Sequence, residues 1–157
     1  DEPFSHQLEK ETVEKDIFHK FDTLFLVRAT RLSLEFTKAY EIRSERLKLV
    51  GSPFPEAVEQ KGAAFFISMF TPDAARRDMT NPDHWSIYLT NENKNIKPRK
   101  ITYVGDKARI RPFFPYVTDW SREYVVYFSE ETSKFSDLKL IISNSNAAAS
   151  LTWSSLK

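Results

Sequence analysis

The feature that most restricts the fold of this chain is a succession of short apolar runs of strand length, each closed by turn-forming residues. Thr23–Thr30 (TLFLVRAT) is apolar on both faces except at Arg28. That pattern suits a strand covered on both sides, with Arg28 at a rim or paired with a carboxylate. Ala63–Phe70 (AAFFISMF) follows Gly62 and is ended by Thr71-Pro72-Asp73, after which Ala74–Met79 reads as a short helical turn. In His84–Thr90, Trp85, Ile87 and Leu89 share one face and His84, Ser86, Tyr88 and Thr90 the other. Further strands are expected at Ile96–Val104, with Pro98 marking an edge or a bulge, and at Ala108–Phe114, stopped by Pro115. Glu123–Ser129, Leu138–Ser143 and Ser150–Ser154 complete a set of at most eight. The fold expected is mainly β, an antiparallel β-sandwich or partly open barrel.

The period changes to a helical one between Ser33 and Val50. Leu32, Phe36, Tyr40, Leu47 and Val50 fall at helical spacing, Ser33 is an N-cap, and Gly51, Pro53 and Pro55 form a stop. This is the one amphipathic helix expected near the N-terminus, with Phe36, Tyr40 and Leu47 packed on the sheet. A short second helix is expected over Pro55–Lys61. Residues 1–19 read as an acidic, loosely held lead-in, with six acids against two lysines in the first 16 positions. Residues 20–157 read as a single β-rich domain, as suits a chain of 157 residues.

Composition excludes several kinds of chemistry. The absence of cysteine removes disulfides, thiolate catalysis and thiolate metal sites. Gly51, Gly62 and Gly105 fit no phosphate-cradling spacing, which removes a P-loop and a dinucleotide fingerprint. A net charge of +1 argues against a nucleic-acid partner held by the whole surface. The apolar stretch Ala63–Phe70 is far short of the ~20 residues of a membrane-spanning helix, so no transmembrane segment is expected. The opening Asp1-Glu2-Pro3 shows no signal peptide, and a mature exported chain would read the same.

No motif selects a catalytic, cofactor-binding or metal-binding residue. His6, His19 and His84 are too far apart for a shared helical face, and a zinc site without cysteine would need two of them plus a carboxylate. Glu130-Glu131 reads as a solvated turn. From Lys94 to Arg111 there are seven basic residues opposed only by Asp106. Lys97 with Arg99 and Arg109 with Arg111, the same-face pairs of extended strands, make a candidate anionic-contact strip. The alternative is a hairpin edge kept soluble by its cations. Only Tyr103 is aromatic within that window, which disfavours nucleic acid further. Phe113, Phe114, Tyr116 and Trp120 form a candidate aromatic patch for a ligand or a protein. Their alternative is a stiffened loop plugging one end of the sandwich.

The order of segments resembles a group of uncharacterised bacterial exported proteins, often lipoproteins. The resemblance is carried by Thr30–Tyr40 (TRLSLEFTKAY), Phe65-Phe66, Phe70-Thr71-Pro72, Trp85 and Tyr88-Leu89. It continues through Phe113-Phe114-Pro115-Tyr116, Trp120-Ser121, Tyr124, Phe128 and Leu151-Thr152-Trp153, so it covers about residues 20–154. The chain departs from that pattern at Met79-Thr80, where an Asn-Asp-Leu-like turn is expected, and at Arg31, where an aromatic is usual. The resemblance implies export, a β-sandwich-like fold and no particular activity. In a lipoprotein the acylated cysteine would stand at the very start. The function expected is therefore a non-enzymatic cell-envelope or secreted module, binding or structural, periplasmic or tethered to the outer membrane. Its expected partner is an envelope protein or an acidic membrane surface. The rival reading is a hydrolase without a recognisable motif.

Overall fold

Strands that are apolar on both faces belong inside a sheet covered twice, and the computed structural model, which describes residues 2–48 and 61–154, contains such a sheet. The elements in chain order are α1 (Glu2–Glu11), β1 (Thr12–His19), β2 (Asp22–Arg31), α2 (Leu34–Arg46) and β3 (Ala64–Phe70). Then come β4 (Ser86–Asn91), β5 (Lys94–Ile96), β6 (Lys100–Val104) and α3 (Lys107–Ile110). β7 (Arg122–Tyr127), β8 (Leu138–Ser143) and β9 (Ala148–Trp153) follow, and 3-10 turns occupy Ala74–Arg76 and Glu130–Lys134. A five-stranded sheet has the order β1-β2-β3-β7-β6 and a four-stranded sheet the order β5-β4-β8-β9. Every strand pair is antiparallel. The architecture is mainly β, two stacked sheets without barrel closure.

Alternation decides what each face meets. Phe25 and Val27 of β2, Phe65 and Ile67 of β3, and Tyr124 and Val126 of β7 point inward. There they pack against Ile87, Leu89, Leu140, Leu151 and Trp153 of the smaller sheet. The opposite side chains, Phe66, Val125 and Tyr127, form a second apolar layer with Phe4, Phe36, Tyr40, Phe113 and Phe114. Phe114 is the keystone of that layer. Its ring stacks at 3.8 Å on Phe66 below and lies 6.0 Å from Phe36 above. The helix thus reaches the sheet through the 110–117 loop, which plugs the gap.

Several sequence expectations are corrected. Residues 2–19 are not a loose lead-in: α1 buries Phe4, and β1 pairs along its length with β2. Strand β1 was hidden because its side chains are mostly polar, as befits an edge. Helix α2 is capped by Ser33, which accepts the Phe36 N–H at 3.1 Å, and it buries Phe36 and Tyr40. It ends at Arg46, short of Gly51, because Lys48 takes a left-handed φ of 55°. Leu47 is consequently exposed, while Val50 and the helix expected from Pro55 lie outside the described residues, where Lys61 alone is described.

The strand expected over Ile96–Val104 is split between the two sheets. Pro98 has no N–H to donate, and the chain leaves β4 there and joins β7, the Arg99 N–H reaching Tyr127 O at 2.7 Å. The strand expected over Ala108–Phe114 is helical instead. Asp106 accepts the Arg109 N–H at 3.3 Å and caps α3, and Phe113 and Phe114 donate back to Ile110 O. Alternating basic and apolar residues there mimicked a strand, but the local cap decided the conformation.

Candidate functional site

The roof of helices and loop covers only part of the outer face of the five-stranded sheet. Beside it Leu26, Arg28, Ser68 and Phe70 floor an open groove of about 630 Å³, with Tyr116 and Trp120 on its loop side. The floor follows from register. Glu14, Arg28, Ser68 and Glu123 stand directly opposite one another on β1, β2, β3 and β7. Directly opposed residues share a face, so these four make a polar row across the outer face of the sheet. Arg28 is held by Asp16 at 2.7 Å and Glu14 at 3.4 Å. Ser68 donates to Glu123 Oε2 at 2.8 Å.

Glu123 is fully buried, and its carboxylate organises the loop above it. Oε2 also receives the Ser121 hydroxyl at 2.5 Å, and Oε1 receives Lys107 Nζ at 3.0 Å. The same ammonium donates to Thr118 O at 2.5 Å and to Ser121 O, which uses all three of its protons. The turn from Thr118 to Ser121 is closed by its own side chains. Thr118 Oγ1 accepts the Trp120 and Ser121 N–H groups at 3.2 and 3.1 Å, and Ser121 Oγ accepts the Thr118 N–H at 3.0 Å. Arg111 pairs with Asp119 and holds that carboxyl below its ordinary range. An immobilised turn therefore carries Trp120 outward, 79% exposed, at the lip of the groove.

Tyr116 is anchored from the other side. Its hydroxyl lies 2.7 Å from Thr30 Oγ1, which lies 2.7 Å from Thr12 Oγ1 on the edge strand. Withdrawal of the phenol from water pushes its pKa well above the usual tyrosine value, and the Thr30 hydrogen bond offsets part of that rise.

The residues singled out from sequence are dispersed. Phe113 and Phe114 are buried as a plug, Tyr116 is half-buried, and of the four only Trp120 is freely presented. Lys97 and Arg99 line a different cleft, where the chain crosses between the sheets. Arg109 and Arg111 sit on and just after α3, so strand alternation does not apply to them, and Lys107 of the same window is spent on Glu123. Two residues of this candidate site were missed by sequence reasoning, Ser68 and Glu123. Their signal is a lone polar residue within or at the start of an apolar strand, as Ser68 is in AAFFISMF and Glu123 is before Tyr124-Val125-Val126-Tyr127.

Ser68 and Ser121 face the groove, and both donate their hydroxyl protons to the Glu123 carboxylate that also pairs with Lys107. The histidines are scattered: His84 lies 3.5 Å from Asn81, His6 lines a crevice between α1 and α2, and His19 ends β1. Among the described residues no group of three His, Asp or Glu could hold a metal ion, and no helix is long and apolar enough to cross a membrane. Compared with protein-family models, curated proteins and solved structures, the chain matches none.

Proposed function

We propose that the protein is a non-enzymatic binding module of the cell envelope or the secreted space, and that the groove beside Trp120 receives apolar and aromatic side chains of a protein partner. The observation that carries this reading is the exposed Trp120, held by a buried ion pair at the lip of an apolar groove. The lining supports a protein partner. Among the described residues it contains tryptophan, tyrosine, phenylalanine and two arginines, and no lysine, aspartate or glutamate. Aromatic residues and arginine are enriched at protein interfaces and dominate their binding energy, whereas lysine and carboxylates are depleted. An envelope protein fits this groove better than an acidic membrane surface does, because the cations expected to face a membrane are divided among separate sites. The compartment rests on the resemblance of residues 20–154 to exported bacterial proteins.

The test is selection of peptides from a displayed library on the immobilised protein. Selected peptides should carry aromatic or large aliphatic residues, and Trp120→Ala should weaken them at least tenfold with unchanged thermal stability. Selection that yields only ligands indifferent to Trp120→Ala refutes the proposal.

A further inference from the structure

The cations flanking the Trp120 groove are held by the protein's own groups. Arg28 is paired with Glu14 and Asp16, Arg76 with Asp73 at 3.5 Å, Lys107 with Glu123, and Arg111 with Asp119. Arg122 lies 4.9 Å from the Tyr103 ring. Arg77 differs. It lines the groove from the loop after β3, its side chain is exposed, and it pairs with no carboxylate among the described residues. The carboxylate next to it in sequence, Asp78, is turned to Thr80, accepting its N–H at 2.9 Å and its hydroxyl at 2.6 Å. The backbone that carries Arg77 is fixed from below. Its carbonyl accepts the buried Tyr124 hydroxyl at 3.0 Å, that hydroxyl accepts the Met79 N–H at 3.2 Å, and Trp85 Nε1 donates to Arg76 O at 2.7 Å. A mobile guanidinium therefore stands on a rigid base beside an apolar groove whose lining offers it no counter-ion.

We infer that Arg77 sets the specificity of the groove and selects a partner segment carrying an aspartate or glutamate side chain close to its apolar anchor, an inference that rests on the groove being a protein-binding site. The apolar residue packs on Trp120 and Phe70 while the carboxylate meets the guanidinium, which can grip both of its oxygens. Covering the groove excludes water and strengthens that pair. Charge complementarity of this kind discriminates between partners, since a lysine or arginine at the same place would be repelled. A chain terminus fits less well than an acidic side chain. Terminal carboxylates are captured by clusters of backbone N–H groups, and those of Thr118, Trp120 and Ser121 at the lip are already spent on Ser121 Oγ and Thr118 Oγ1.

The test is parallel selection on the protein and on Arg77→Gln from a displayed peptide library fused at its C-terminus, so that every carboxylate offered is a side chain. Peptides selected on the unaltered protein and weakened by Trp120→Ala should carry aspartate or glutamate close to an aromatic or large aliphatic residue. Those selected on Arg77→Gln should keep the apolar residue and lose the acid. A synthetic copy of a selected peptide, amidated at its C-terminus and measured by calorimetry, should bind Arg77→Gln at least fivefold more weakly, and its acid-to-amide analogue should bind the two proteins equally. Raising salt from about 50 to 300 mM should weaken the acidic peptide and spare the amide analogue, because only the first depends on Coulomb attraction. Lys38→Gln, which removes an exposed cation from α2, should change nothing, and Arg77→Gln should unfold at the same temperature as the unaltered protein. Trp120-dependent peptides without the acid, acidic peptides indifferent to Arg77→Gln, or synthetic copies that bind only with a free terminal carboxylate overturn this inference and leave the groove standing as a protein-binding site. Failure to select any Trp120-dependent peptide overturns both.

Discussion

Replacing Lys107 with methionine tests whether the Glu123 anchor holds the candidate site together. Glu123 has a side chain 1% exposed and Lys107 one 26% exposed. Methionine keeps the aliphatic stem but leaves a buried carboxylate with only the Ser68 and Ser121 hydroxyls as donors. Removing one partner of a buried ion pair costs about 3–5 kcal/mol. Water reaches the exposed quarter of the lysine position, so the loss expected here is about 2–4 kcal/mol. Glu123→Leu removes the acceptor of the buried Ser68 hydroxyl, at about 1–3 kcal/mol, while Ser121 Oγ keeps Thr118 O and the Lys107 ammonium keeps Thr118 O and Ser121 O. Lys107→Met/Glu123→Leu together should cost less than the sum of the single changes by about 1–3 kcal/mol, since the second substitution removes what the first left uncompensated. Urea unfolding of the four proteins at neutral pH, followed by circular dichroism, measures each value. A loss below about 1 kcal/mol for Lys107→Met, or a strictly additive cycle, would refute the anchor.

Iodide should quench one tryptophan of three: single-tryptophan variants are expected to show strong quenching for Trp120, which is 79% exposed, and weak quenching for Trp85 and Trp153, at 4% and 2%. Gly62→Ala should destabilise by about 1–3 kcal/mol in chemical denaturation, because an added Cβ would stand 2.3 Å from the carbonyl oxygens of both Phe128 and Ser129. Burial raises the phenol pKa of Tyr116 and of Tyr124. Above pH about 10 the unfolded chain therefore releases protons that the folded chain retains, so stability is full below that pH and falls as pH rises beyond it. Tyr116→Phe and Tyr124→Phe should each flatten that fall in urea titrations at pH 9 to 11, and an identical slope in wild type and both variants would contradict the burial of these hydroxyls.

Local sequence was decisive wherever a segment's own pattern had a single physical solution. The apolar runs of β2, β3, β7 and β8 can satisfy both their backbone and their side chains only inside a sheet, and Ser33 with Phe36 and Tyr40 dictates the start and buried stripe of α2. The lone charge in TLFLVRAT announced an ion pair, and Arg28 found Glu14 and Asp16 on the neighbouring strand. What stayed hidden depends on partners distant in sequence. Strand β1 is polar because it is an edge, which is a property of the assembled sheet. The Lys94–Arg111 charges were visible as a cluster, yet topology sends β5 and β6 to different sheets and turns Lys107 inward to Glu123. The aromatic run was visible too, but whether each ring is core or surface was decided by the Thr118–Ser121 turn, which leaves Phe114 stacked between sheet and helix and Trp120 in solvent. Sequence by itself determined β2, β3, β7 and β8, the principal helix and the mainly β architecture, because period and capping act over a few residues. Only the tertiary structure decided the groove, because its row from Glu14 to Glu123 exists through the register of four strands spread over 110 positions of chain.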